Sequence, residues 1–302
     1  MQKTYRCLIL TNAYVLNPSL AYFRDRMSEE FSLLGIESES KTAAEIFAHV
    51  AGDGSIQHEP LPYDFVLYLD KDRYLASLLE KCGLRLFNSA AAIEACDDKM
   101  LTHLALADQG IAMPATVSGP LCYVPSHDRT FINNLMKAIP FPMVAKANYG
   151  SQGQSVYLVE NEAQLLEMES KLQNQARIYQ QFIATSKGFD DRIIVIGGRF
   201  YCGYRRRSLN GDFRSNIAQG GAGEAHEMSQ AQIAIAEKAA KILGLDYCGV
   251  DLLDSGDPEK PILCEVNSNA FFRGAEKVTG KNVAKAYAEY IVQTVYESKS
   301  AK

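Results

Sequence analysis

Residues 249–267 read GVDLLDSGDPEKPILCEVN, from Gly249 to Asn267. Two apolar runs flank Ser255, Gly256, Asp257 and Pro258, a cluster that favours a turn, so the stretch predicts two short strands joined as a hairpin. Side chains alternate between faces along a strand. Val250 and Leu252 then share one face of the first strand, and Ile262, Cys264 and Val266 share one face of the second. Both are expected to be core faces. Asp251 lies on the opposite face of the first strand, and Glu265 with Asn267 on the opposite face of the second. Three oxygen-bearing side chains meet on one side of an otherwise apolar hairpin.

An acidic side chain on a strand is most often a solvated one. A carboxylate two residues from an amide, facing a further carboxylate, also supplies hard oxygen ligands of the kind Mg²⁺ takes while it bridges substrate phosphates. A site of that kind needs three more parts: a phosphate-binding loop, one or two lysines, and an apolar slot for a base.

Candidates for each part lie upstream. Phe141 to Lys146 and Ser155 to Glu160 predict paired strands, and Ala147 to Gln154 (ANYGSQGQ) joins them. Its glycines and small polar residues make a loop whose N–H groups can fold over an anion, although many plain hairpin loops look alike. No helix follows it and GxxxxGK[ST] is absent, so it is not a Walker loop. Asp97-Asp98-Lys99 opens a helix running to Gln109. Acidic residues suit that end, whereas a cation opposes the helix dipole, so Lys99 is either a surface lysine or one reaching a bound phosphate. Lys146 precedes the Gly loop. Arg177 to Ile183 predicts a strand, where Gln181, Phe182 and Ile183 offer an apolar wall and a backbone edge to a flat ring; a plain core strand fits them equally. Asp190 to Gly197 and Arg199 to Ser208 predict a hairpin across Gly197-Gly198. Arg206, and Arg214 beyond it, are candidates to clamp phosphate or carboxylate oxygens, although arginine runs are usually solvated.

Before these segments, Tyr5 to Asn12, Ile36 to Ser40, Tyr63 to Asp70 and Leu84 to Asn88 predict strands. Pro18 to Leu34 and Arg73 to Cys82 predict helices between them, and Thr42 is expected to cap a short helix through Val50. The alternation predicts a small parallel-sheet α/β domain over residues 1–88. No GxGxxG follows its first strand, which argues against dinucleotide binding. Glu162 to Gln173, Gln230 to Leu243 and Asn282 to Tyr296 predict further helices.

The 302 residues are 47% hydrophobic and 22% charged, with a formal net charge of -5, which suits a globular protein and gives nucleic acid no basic surface to bind. Seven scattered cysteines without metal-type spacing, and no secretory signal, suggest reduced thiols in a cytoplasmic protein. No apolar run approaches the ~20 residues of a membrane span. His49, His58, His103, His127 and His226 show no ligand spacing and read as structural or exposed.

Taken in order, the lysine of DDK, the lysine before the Gly loop, the hinge strand, a D-x-R hairpin, DFRSN (212–216), GVDLL and EVNSN resemble the ATP-grasp superfamily, and within it the RimK-like amino-acid ligases. The match runs from about Ser89 to Tyr290. The resemblance implies an ATP-grasp fold of α/β class with α+β lobes, a central lobe over 89–183 carrying the phosphate lid and a C-terminal lobe over 184–302 carrying the metal site. It implies that Lys99 and Lys146 contact ATP phosphates under a lid of Gly150, Ser151, Gln152 and Gly153. Gln181, Phe182 and Ile183 would lie at the adenine, and Asp190 near the ribose. Arg206, Arg214, Ser215 and Asn216 would line the phosphate and acyl side, the two arginines being the catalytic candidates. Asp251, Glu265 and Asn267 would hold Mg²⁺ or Mn²⁺. Close relatives of RimK often have Glu-Tyr at the hinge and a Pro-Gly pair after the second asparagine. Here Gln181-Phe182 and Ala270-Phe271-Phe272 stand there, so the amino-acid pocket does not carry over.

The implied reaction joins a small-molecule or peptide carboxylate to an amino-acid amine, glutamate or another, through an acyl phosphate with release of ADP. A homo-oligomer is compatible with such an enzyme. A nucleotide-binding regulatory or scaffold protein on the same frame is the competing expectation.

Overall fold

The computed structural model describes residues 5–124, 128–150, 155–215 and 221–300, the last three by backbone alone. Its first layer is a parallel sheet of β1 (Arg6–Thr11), β2 (Glu37–Thr42), β5 (Phe65–Leu69) and β6 (Arg85–Phe87), in the order β2-β1-β5-β6. Helices cover both faces, so β1 and β5 are buried on both sides and read as unbroken apolar runs. Cys7 and Ile9 of β1 pack towards α1 (Pro18–Leu33), while Leu8 and Leu10 face α2 (Arg73–Lys81) and α3 (Ala90–Asp97). Asn17 caps α1 by accepting from the Ser19 N–H, and Pro18 fills the first helical position, where no N–H is required.

The helix expected from Thr42 to Val50 does not form. Thr42 and Glu45 do cap each other, but the turn stops after Ala43–Glu45. Ala48–Val50 (β3) instead pairs with Ile56–His58 (β4), inside a segment expected to be loop. One capped turn cannot offset the cost of nucleating a helix. The tight turn that Asp53 makes by accepting from the Ser55 N–H and hydroxyl, with Gly54 at φ 83°, favours the hairpin instead.

After α4 (Lys99–Leu106) comes a second, antiparallel sheet in the order β7-β10-β8-β9: β7 (Thr116–Ser118), β8 (Met143–Ala147), β9 (Val156–Val159) and β10 (Arg177–Gln181). The paired strands expected on either side of the Gly loop are β8 and β9. One face of this sheet packs under α5 (Thr130–Ala138) and α6 (Glu162–Leu172) through Met143, Ala145, Val159 and Tyr179. The other face, with Val144, Lys146 and Gln180, looks into a cavity of about 1050 Å³.

Across that cavity stands a third sheet, in the order β13-β12-β11-β14-β15. It comprises β11 (Phe189–Ile196), β12 (Arg199–Ser208), β13 (Gly221–Glu224), β14 (Tyr247–Leu253) and β15 (Ile262–Asn267), with α7 (Gln230–Ile242) behind it. The hairpin that opened the sequence argument is β14–β15. Its register slips by one residue between Asp251 and Leu252, so that Asp251 faces Glu265 but Leu252 faces Leu263. This bulge corrects the expected core face of β15. Leu263 and Val266 are buried with Val250 and Leu252, whereas Cys264 turns towards the cavity.

α8 (Arg273–Thr279) and α9 (Val283–Ser300) close the chain, and α9 returns to pack on α1. One core therefore runs from Ile9 and Phe65 of the first sheet, through Phe23 of α1, Phe272, and Tyr287 of α9, to Ile194 and Tyr247 of the third. Among the described residues no helix is long and apolar enough to cross a membrane.

Gly249 lies within β14 where another strand residue would collide. A Cβ there would meet the Ala270 Cβ at 2.6 Å and the Arg192 Cδ at 3.0 Å. Gly249→Ala is expected to lower folding stability by about 1–3 kcal/mol, the usual cost of overpacking a filled site. A urea denaturation midpoint equal to the parent's would refute this.

Candidate functional site

The geometry of the site starts from strand register. Residues directly opposite each other on antiparallel strands share a face. Arg192 of β11 stands opposite Asp251 of β14, which stands opposite Glu265 of β15. Asp190, two residues before Arg192, stands opposite Arg206 of β12. One face of the third sheet thus carries Asp190, Arg192, Arg206, Asp251 and Glu265 together, and all five line the cavity.

Four of these groups are bound to one another. Arg206 donates to Asp190 through Nε at 2.6 Å and Nη2 at 2.5 Å, and its Nη2 lies 2.9 Å from Asp251 Oδ2. Arg192 grips the same Asp251 through Nε, and through Nη2 at 2.7 Å. All four side chains are buried. Burial alone would raise the Asp251 carboxyl and lower the Arg206 guanidinium. The opposite charges outweigh it, leaving Asp251 below the ordinary carboxylate range and Arg206 well above the ordinary arginine value. The Nη1 donors of both arginines have no partner among the described residues.

Asn267 donates to Asp251 Oδ2 at 3.4 Å, which leaves its own carbonyl oxygen unengaged. Glu265 makes no hydrogen bond or ion pair among the described residues. The donor set here is therefore one free carboxylate, one carboxylate shared with two arginines, and one amide oxygen. These are hard oxygens on one wall and fit an ion of the Mg²⁺ or Mn²⁺ kind. Among the described residues no group of three or more His, Cys, Asp and Glu side chains is placed to hold a metal, so Asn267 is needed to complete the set.

The facing wall carries the lysines. Asp98 caps α4 by accepting from the Met100 and Leu101 N–H groups, and Lys99 follows it. The Lys99 Nζ donates to the carbonyls of Asn148 at 3.1 Å and Gly150 at 3.2 Å. Burial pulls this ammonium below the ordinary lysine value, with Glu265 opposing the shift and Lys146 adding to it. Lys146 extends from β8 to 3.9 Å from the Cys264 sulfur, the residue that the bulge turns inward. Gly150 has φ 131°, a conformation that favours glycine. Gln181, Phe182 and Ile183 also line the cavity, and the Phe182 ring meets Phe213 edge-on at 6.2 Å. Arg214 lines it too and pairs with Asp212 at 2.7 Å; Ser215 lies beside Asp190.

One cavity thus gathers Lys99, Lys146, Gly150, Gln181, Phe182, Ile183, Asp190, Arg206, Arg214, Ser215, Asp251, Glu265 and Asn267. Ser151, Gln152, Gly153 and Asn216 lie outside the described residues. A model of the RimK-like ATP-grasp domain matches residues 96–291.

The chain belongs to the RimK-like ATP-grasp family.

Its relatives in this family include a protein named "Probable alpha-L-glutamate ligase" from Stenotrophomonas maltophilia, 36% identical over 214 residues, which are 70% of this chain and 70% of that protein. Beta-citrylglutamate synthase B of Homo sapiens is 32% identical over 222 residues, 73% of this chain but 56% of that longer protein. Among solved structures, D-alanine–D-alanine ligase of Bacillus anthracis superposes with a TM-score of 0.73 at 16% identity, covering 99% of both chains. A RimK domain protein of Sphaerobacter thermophilus gives 0.69 at 21% identity, covering 95% of this chain and 99% of that one. The ATP-grasp fold expected from the ordered motifs is the fold this RimK-like chain has.

Sequence reasoning left three cavity residues of this ligase family member without a role. Arg192 is the main grip on Asp251; its signal was a charged residue in the middle of a β-branched strand. Cys264 reaches the cavity only through a bulge that no local pattern announces. Gln180, the fourth residue of β10, sits behind the hinge and bonds to His103, which the histidine spacing left as merely structural.

Two outcomes are expected. Asp251→Asn removes one charge from the buried group and leaves its arginines undercompensated, so a loss of about 3–5 kcal/mol is expected in chemical denaturation. A variant as stable as the parent would show that the ion pairs contribute little. His103 is buried, and burial, with Lys146 adding to it, pushes its imidazole down to about 4. The unfolded chain takes up this proton near pH 6.5, the folded chain only near pH 4. The folded state therefore has full stability above about pH 6.5 and loses up to about 3 kcal/mol on acidification to pH 4. His103→Leu should flatten that part of the stability–pH curve, and an unaltered slope in urea titrations at pH 7, 5.5 and 4.5 would contradict the assignment.

Proposed function

We propose that this cavity is where the ligase joins a carboxylate to the amine of glutamate or another amino acid at the expense of ATP. The observation that carries the reading is the convergence of Asp251, Glu265 and Asn267 on the cavity that also contains Lys99 and Lys146. The family and its named ligase relatives supply the reaction class.

In this reading a substrate carboxylate oxygen attacks the γ-phosphorus of ATP. The bond to the β–γ bridging oxygen breaks, and ADP leaves with its electron pair. The acyl phosphate so formed is attacked by the amine, phosphate departs, and the amine loses a proton as the amide forms. A carboxylate is a poor electrophile; phosphorylation supplies its leaving group. A divalent ion held by Glu265, Asp251 and Asn267 neutralises charge on the phosphate oxygens when bound.

The chain's own groups have electrostatic and positioning work. Lys99 from the start of α4 and Lys146 from β8 of the second sheet hold phosphate oxygens. The free Nη1 donors of Arg206 and Arg192 serve oxygens above the third sheet, with the geometry of both forks fixed by their grip on the aspartates. Arg214 and Ser215 face the same region. The base occupies the slot beside Gln181, Phe182 and Ile183, with Asp190 towards its sugar.

Glu265→Gln is the cleanest test, because Glu265 has no structural partner to lose. ADP formation should fall by about 10²–10³-fold with the denaturation midpoint unchanged. Near-parental turnover would remove the proposed ion site. A scan of amino acids and acidic peptides with ATP and Mg²⁺, reading phosphate release and product mass together, is expected to find an amide containing glutamate. ADP formation that no carboxylate or amine stimulates would instead favour a nucleotide-binding regulator.

A further inference from the structure

Gln180 projects from β10 onto the cavity face of the second sheet. It lies opposite Val144 in register, and Ile178, two residues before it, lies opposite Lys146. Val144, Lys146 and Gln180 all line the cavity. Yet Gln180 is only 2% exposed, and its amide nitrogen is fully engaged from behind. One amide proton goes to Thr116 Oγ at 2.9 Å. The other points at His103 Nε2, 2.6 Å away.

The direction of each bond follows from its neighbours. The Thr116 hydroxyl spends its own proton on the Pro114 carbonyl at 2.8 Å, so towards Gln180 it can only accept. His103 is buried on α4, and its Nδ1 has no partner in good hydrogen-bonding geometry; the Lys99 carbonyl one turn back favours a proton there. With the proton on Nδ1, Nε2 is an acceptor. Burial and the nearby Lys146 keep the ring neutral at physiological pH. Two acceptors therefore hold both protons of the Gln180 amide, and its Oε1, with no partner among the described residues and not fully enclosed, is left facing the cavity.

We propose that His103 is a positioning residue for nucleotide selection: with Thr116 it fixes the Gln180 amide so that only its carbonyl oxygen is offered to the bound base. An acceptor at this point favours a purine with an exocyclic amino donor, such as adenine. It opposes one with a carbonyl in that place, such as hypoxanthine or guanine. A glutamine free to rotate would serve either by turning over, so the selectivity resides in the pair of acceptors behind it. This inference rests on the reading that the base lies beside Gln181, Phe182 and Ile183.

The test compares ATP with inosine triphosphate, which differs in hydrogen bonding at the 6-position and at N1. The parent enzyme should prefer ATP by roughly 100-fold in kcat/KM, as expected of a site that leaves a polar group unpaired with the wrong ligand. His103→Leu should reduce that ratio by about tenfold, through the KM for ATP, with kcat within about twofold. Gln180→Leu should reduce it as well, and adding His103→Leu to Gln180→Leu should change nothing more. Should His103→Leu fail to fold, Thr116→Val releases the other proton and should lower the ratio in the same direction. A folded His103→Leu or Thr116→Val enzyme with the parent's ratio overturns the proposal, as does an effect of His103→Leu that persists without Gln180. Dissociation constants for the two nucleotides, measured by calorimetry, give the same ratio without turnover. A parent that binds both equally would sink the placement of the base, while a selective parent with an indifferent His103→Leu sinks only the role of His103.

Discussion

The site depends on a closed set of buried charges. Asp190, Arg192, Arg206 and Asp251 carry two charges of each sign, and every one lies against an opposite partner. Taking such groups out of water is costly unless they remain together, and removing one exposes the desolvation cost of the rest. The set must therefore stay intact in the folded protein. Because its members sit on three neighbouring strands, it also locks the register of β11, β12 and β14. The groups that face the cavity are those the locked set leaves spare: the outer guanidinium nitrogens, the Glu265 carboxylate and the Asn267 carbonyl. Structural and chemical demands meet in the same side chains.

The fold sets these groups against the lysines. Lys146 and Lys99 come from an antiparallel sheet and a helix that share no strand with the charge set. The first sheet contributes to the cavity through Asn12, Leu69 and Asp70, at or just past the carboxyl ends of β1 and β5, where open α/β sheets commonly bind ligands. Asp70 is held there by the Asn12 amide at 3.1 Å, and the Asn269 amide donates to its backbone carbonyl at 3.0 Å. Three sheets thus meet at one cavity.

Much of this was legible before any coordinates. The β14–β15 hairpin followed from its turn residues, and the hairpin across Gly197-Gly198 from two glycines that take φ 57° and 72°. The ordered lysines, arginines and carboxylates implied a shared site because they occur in one family's sequence. What stayed hidden was set by long-range geometry. A one-residue slip decided that Leu263 is core and Cys264 is not. Arg192 acquires its meaning from Asp251, 59 residues away. Thr42 bore a good capping signal, yet a single capped turn does not offset the cost of nucleating a helix. α5 passed unnoticed because its nine residues carry no side-chain cap and few buried positions.

The continuous core between the first and third sheets has a consequence for how this polypeptide comes off the ribosome. Phe23 of α1 meets Tyr247 and Phe272 ring to ring, and Asn282, just before α9, donates to the buried Glu30 of α1. These contacts join segments some 250 residues apart in synthesis. The second sheet packs around its own residues and can close as soon as they emerge. The inner surface of α1 finds early partners in Cys7, Ile9 and Phe65 of the first sheet, but the part around Phe23 that Tyr247 and Phe272 cover stays a greasy, incomplete half until those residues arrive.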